Sequence, residues 1–231
     1  MFGALKNAGH LLRVARILAR HDALFPLEIF GVAPGIVAVA KLISKRNAEG
    51  RAGQRLARAL NEAGPSFIKM GQALATRSDL LGEELAADLS ELQDRLPAFP
   101  GAQAKATIEA EFAEDMDAMF TSFDEKPIAA ASIAQVHFAV TSDGREVAVK
   151  VLRPDIEDAF NRDIDLLRWI AGLVETARPD LKRLKPREVI ETLAQTVELE
   201  MDLRFEAAAA VELAENFEGD ADFVVPKVDW S

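Results

Sequence analysis

Residues 147–152 read Val-Ala-Val-Lys-Val-Leu, a period-two run of β-branched residues with one lysine inside it. Successive side chains of an extended strand leave opposite faces, so Val147, Val149 and Val151 share one face and Lys150 takes the other. The valine face needs a core to cover it. The lysine face cannot be covered the same way, because an ammonium withdrawn from water without an anion is strongly disfavoured. Asp143-Gly144 is a turn dipeptide and residues 133–140 form an incoming run of strand character, which predicts a β-hairpin over about 128–152. An edge-strand lysine with its amine in water satisfies this pattern, and so does a lysine aimed across a cleft at a carboxylate. The rest of the chain has to decide between them.

Composition removes whole classes of chemistry. With no cysteine among 231 residues, disulfides, thiolate metal sites and cysteine nucleophiles are excluded. His10, His21 and His137 are scattered without zinc-ligand spacing, so no metal site is assigned, and His137 reads as an ordinary strand residue. The net charge of −11 is unevenly spread: residues 1–58 hold ten Lys/Arg against three Asp/Glu, and the remainder is strongly acidic. A basic appendage on an acidic body argues against nucleic acid as a partner, since phosphate neutralisation needs a basic surface.

No secretory pattern opens the chain. Residues 10–20 put Leu11, Leu12, Ala15 and Leu18 near one helical face and Arg13, Arg16 and Arg20 away from it. Such a helix can lie on an anionic membrane surface or pack on its own domain with a solvated basic face. The apolar run at 29–40 is too short for the roughly 20 residues that span a bilayer. A helix is predicted over 51–64, and Pro65 starts the next, in which Phe67, Met70 and Leu74 form an apolar stripe while Lys69, Gln72 and Thr76 occupy another face. Further helices are expected over 82–96, 102–112, 156–176 and 187–218, and a strand over 223–228. These elements divide the chain into a basic N-terminal segment (1–58), a helical extension (59–126) and a sheet-bearing lobe (127–231).

The 187–218 helix carries Glu198, Asp202 and Glu206 at i, i+4 and i+8, which places them on one face. Either this is a solvated acidic face, or its acids meet Lys150 and Lys69.

Four motifs in order bear on that choice. Lys69-Met70-Gly71-Gln72 is a K-x-G-Q element, and Ala129-Ala130-Ala131-Ser132 is a run of small residues before a strand. The lysine strand comes next, and then Glu200-Met201-Asp202 with Glu206-Ala207. Over residues 60–231 the chain resembles the UbiB family of atypical protein-kinase-like proteins, which work in ubiquinone biosynthesis. The resemblance implies an α+β fold: a kinase-like N-lobe of small antiparallel sheet plus long helix, with a helical N-terminal extension and no C-lobe.

It implies roles as well. Lys150 would contact nucleotide phosphates with Glu206 as its ion-pair partner, and Ala129, Ala130, Ala131 and Ser132 would form the loop over them. Lys69, Gly71 and Gln72 would belong to a regulatory helix folded over the cleft, facing Glu200 and Asp202. The implied cofactor is ATP or ADP with Mg2+, whose metal ligands would lie in the missing lobe. Implied partners are a membrane surface or lipid intermediates at the cytoplasmic face of the inner membrane, and ubiquinone-pathway enzymes. Alanine in place of glycine in the loop disfavours positive φ, so an altered nucleotide geometry is expected.

The implied activity is ATP hydrolysis or phosphorylation of a small molecule or lipid. A non-catalytic membrane-associated scaffold is the alternative. Direct hydroxylation of the polyprenylphenol ring is the weakest option, because no G-x-G-x-x-G and no His/carboxylate triad is present. Residues 208–231 lack a catalytic-loop Asp and a D-F-G, so the 231-residue chain alone is expected to show no Mg2+-dependent ATPase activity. Turnover by that chain, abolished in Lys150→Ala, would contradict this.

Overall fold

A computed structural model describes residues 2–31, 34–42, 49–92 and 97–230. Residues 93–96 of the helix expected over 82–96, and 32–33 of the apolar run, lie outside the described residues. The chain begins with α1 (Phe2–Arg20), α2 (Phe25–Ile29) and α3 (Pro34–Lys41), followed by α4 (Ala52–Ala63), α5 (Pro65–Ala75), α6 (Ser78–Leu81) and α7 (Glu83–Ser90). Next come α8 (Gly101–Phe112), α9 (Met116–Met119) and the strands β1 (Phe120–Phe123), β2 (Ala129–Ala130), β3 (Ala134–Thr141) and β4 (Glu146–Leu152). After the sheet run α10 (Ile156–Ala177), a 3-10 stretch at Pro179–Leu184, α11 (Pro186–Met201) and α12 (Leu203–Asn216). This is an α+β arrangement around a small antiparallel sheet, in which β3 is central, β4 lies along one side and β1 and β2 along the other.

One apolar cluster runs through the helices. It includes Leu11, Ala15 and Leu18 of α1, Leu56 and Leu60 of α4, Phe67 of α5, Phe160 and Leu166 of α10, and Leu193 and Val197 of α11. Gly64, at φ +122°, lets the chain reverse between α4 and α5, where any side chain would be strained. Pro65 then starts α5, its missing N–H costing nothing in a first turn. A second, smaller cluster under the sheet joins Phe99, Ala104, Ile108 and Met116 to Val151.

Three expectations are corrected, and one open choice is decided. Leu12 is exposed beside the arginines, while Val14 and Ile17 complete the buried face of α1. That face packs inside the molecule against α3, α4 and α10, the second of the two readings of this helix. The helix expected over 187–218 is broken at Asp202, whose ψ of 93° is extended. Residues 223–228 form no strand: among the described residues no ladder partner lies beside them, and the segment is tethered instead by an ion pair between Arg145 and Asp229. Strand β1 was not anticipated from the sequence.

A buried polar contact joins three helices. Asp163 of α10 accepts a hydrogen bond from Ser66 Oγ of α5 at 2.6 Å and lies 3.1 Å from His10 Nε2 of α1. Burial pushes the Asp163 carboxyl above the usual carboxylate range, against the opposing effects of Ser66, His10, Arg162 and Arg13. A raised carboxyl pKa means that the folded state binds the proton more tightly than the unfolded chain. Its contribution to stability is therefore present at acid pH and is lost as pH rises through the raised value. Asp163→Asn does not titrate, so the melting temperature of wild type minus that of Asp163→Asn is expected to fall as pH rises from about 4 towards 7. A difference independent of pH would refute the assignment.

Candidate functional site

Cross-strand register sorts the sheet into two unlike faces. Gln135 pairs with Val151, His137 with Val149 and Ala139 with Val147, and directly opposed residues share a face. This face is covered. Val151 and Ala139 are buried, and the ring of Phe123 stacks on His137 at 4.8 Å between centroids. The two polar groups it buries are matched to each other: His137 Nδ1 donates to Asp124 O at 2.7 Å, leaving Nε2 to accept from Gln135 Nε2 at 2.8 Å.

The opposite face carries Val136 against Lys150 and Phe138 against Ala148. It is largely open, with Phe138 53% exposed and Ala148 and Lys150 also exposed. An uncovered apolar surface beside a single cation is the feature of this sheet that folding alone does not require. Sequence reasoning found Lys150 but missed Val136, Phe138 and Ala148. Their signal was the same period-two alternation, read on β3 as well as β4.

Lys150 Nζ donates to Glu206 Oε2. Glu206 stands in the first turn of α12, where a negative charge also suits the helix N-terminus. The break at Asp202 positions it. Asp202 Oδ1 accepts from the backbone N–H of Arg204 at 3.1 Å, which caps α12, and the carboxylate also takes two bonds from the Arg204 guanidinium. Those bonds, first among them the side-chain contact with Arg204, hold the Asp202 carboxyl below the usual range. Glu198, Asp202 and Glu206 therefore do not share a face of one helix. An aspartate with a local donor two residues on competes with the helical backbone, and here it wins. A cleft of about 750 Å³ opens beside the pair, lined by Lys150, Glu198 and Asp202 together with apolar Phe112, Met201 and Leu203.

On α5, Lys69 Nζ lies 2.8 Å from Glu200 Oε2 near the end of α11, and the lysine side chain is only 16% exposed. Gln72 does not reach Asp202. Its Nε2 donates to Leu92 O, in the segment after α7, at 3.4 Å. Gly71 is a packing residue: a Cβ there would overlap Leu92 and come within 2.8 Å of Leu60, so the bare backbone lets α5 approach α4.

The alanine run divides. Ala129 and Ala130 are strand residues paired with Val136 and Gln135, and Ala131 N–H closes the turn onto Ala134 O at 2.8 Å. Ser132 is fully buried.

The family model for the ABC1 atypical kinase-like domain matches residues 91–231, from the segment after α7 through the sheet to α12. The chain belongs to the ABC1 atypical kinase-like family. It is 42% identical over 223 residues to a Vibrio cholerae protein named "Probable protein kinase UbiB", covering 94% of this chain and 41% of that one. Proteins of the same name from Marinobacter nauticus (44% over 178 residues; 77% and 32% covered) and Aliivibrio fischeri (47% over 187 residues; 80% and 34% covered) are also similar. The chain thus spans about a third to two fifths of the length of these curated relatives. A solved structure of Rv3197 with erythromycin from Mycobacterium tuberculosis matches with a TM-score of 0.50 and 30% identity, covering 71% of this chain and 40% of that one. This ABC1-type lobe accordingly has its lysine strand and its two acid-bearing helices joined through Asp202.

Removing that joint is testable. Asp202→Ala is expected to lower the melting temperature by roughly 2–4 °C through loss of the cap, with Asp202→Asn restoring most of it. Equal melting of wild type and Asp202→Ala would show that the cap does not set the break.

Proposed function

We propose that this chain is the nucleotide-gripping lobe of a UbiB-type protein, holding ATP or ADP against the open face of its sheet. The observation that carries the reading is the Lys150–Glu206 ion pair beside that face. A strand lysine steadied by a helix carboxylate is what a kinase-type site uses to contact nucleotide phosphates. Val136, Phe138 and Ala148 offer a base an apolar surface next to the amine, so the residues present fit the nucleotide itself.

An Mg2+ ion accompanying the nucleotide would be held largely by its phosphates and by water. Among the described residues no group of three His, Asp or Glu could hold a metal ion, and no Mg2+ site is assigned to them. A bound nucleotide would supply the transferable phosphoryl group. The chain's own part is to grip the phosphates and orient the base.

Similarity to proteins named UbiB supports a role in ubiquinone biosynthesis, through ATP hydrolysis or phosphorylation of a small molecule or lipid. On the same reading, lipid intermediates and enzymes of that pathway are its partners. Peripheral contact with the inner membrane falls to exposed Ile29, Phe30, Val39 and Leu42 around α2 and α3, since the apolar face of α1 is occupied inside. Among the described residues no helix is long and apolar enough to cross a membrane.

Calorimetric titration of the full-length protein with ADP tests the reading. Lys150→Ala is expected to weaken binding roughly ten- to hundredfold and Glu206→Gln by less, as one charge-assisted contact is removed or loosened. Wild-type affinity in Lys150→Ala would sink the proposal. Absence of binding in wild type would favour the scaffold.

A further inference from the structure

Residues 97–99, just before α8, lie against the turn of the alanine-rich segment. Arg153, just past β4, donates from Nη2 to Pro97 O and to Ala131 O, both at 2.9 Å, and its Nε lies 3.3 Å from the same Ala131 oxygen. The guanidinium also sits 5.5 Å from the centroid of the Phe99 ring. Gln135 secures the same stretch from below. Its Oε1 accepts from Phe99 N–H at 3.0 Å and its Nε2 donates to Phe99 O at 3.2 Å, with the side chain fully enclosed. The 97–99 stretch is thus a strap, bound to the sheet through Gln135 and to the turn through Arg153.

Ala129, Ala130 and Ala131 carry only methyl groups, whereas Ser132 and Ile133 are buried and anchor the far side of the turn. The alanine side is held through its backbone, and the Ala131 carbonyl is where Arg153 grips it. A guanidinium suits this task because its planar fork serves two carbonyls at once, which an ammonium on a flexible stem does less well. Arg153 cannot itself touch a ligand beside Lys150. It follows Val151 by two residues, and its contact with Phe99 places it on the covered face.

We infer that Arg153 and Gln135 are positioning residues that hold the alanine-rich turn in one conformation through the 97–99 strap. Its consequence for ligands rests on the nucleotide reading above: a turn held in advance meets phosphates without the entropic cost of ordering itself at binding. A base lying on Phe138 and Ala148 would not feel that difference. The strap therefore sets affinity for the phosphate portion alone, and makes it depend on the helical extension.

The test uses full-length protein as wild type, Arg153→Lys and Arg153→Gln, with dissociation constants for ADP and adenosine and amide exchange over residues 128–135. Arg153→Lys keeps a cation near Phe99 and serves as the milder variant should Arg153→Gln fold poorly. Expected are faster exchange at the turn and ADP binding weakened roughly three- to tenfold, with adenosine unchanged. Unchanged exchange overturns the inference whatever the ligands do, and so does an equal loss of both ligands, which a general structural role would give. If wild type binds neither ligand while the variants still exchange faster, the positioning role stands and the nucleotide reading falls.

Discussion

Two lysines on separate elements each need an acid, and a single uninterrupted helix would have to serve both. The bend at Asp202 divides that task. Glu200, near the end of α11, pairs with Lys69 of the helical extension, and Glu206, in the first turn of α12, pairs with Lys150 of the sheet. The aspartate between them gives up helical geometry and recovers the loss by capping α12. Extension and sheet are therefore joined by electrostatics at one corner as well as by the shared apolar core.

The sheet depends on a second division of labour. Its covered face is sealed by α8, Phe99 and Phe123, and there a glutamine and a histidine are tolerated because each bond they need is supplied. The open face has no such cover, and a small sheet does not leave Phe138 to water for the sake of stability. The nucleotide proposed above would cover that exposed surface.

The hairpin was legible because its period-two pattern and Asp-Gly turn are short-range signals with a direct geometric meaning. The Lys150–Glu206 contact, by contrast, spans 56 positions: helical spacing offers several acids to the lysine, and only the resemblance to a family selects Glu206. The break at Asp202 escaped notice because residues 187–218 contain neither glycine nor proline, and helical periodicity does not register a side chain that caps from within. Residues 223–228 have strand-like composition, but a strand also requires a neighbour, which composition cannot supply. For α1 the helical period gives Leu11, Ala15 and Leu18 correctly but includes exposed Leu12 and leaves out buried Val14 and Ile17. Arg153 carried no sequence signal at all, as its partners are backbone oxygens, which any residue possesses.

The continuous apolar cluster from Leu11 to Val197 has a consequence for how the molecule comes apart. Helices from all three segments of the chain share it, so none has a private interior to fall back on. Stripping away α1 would bare apolar residues of α3, α4 and α10 to water in a single step. The amino-terminal helix is thus woven into the cooperative unit, and melting should be all-or-none, the basic end leaving together with the lobe it props up.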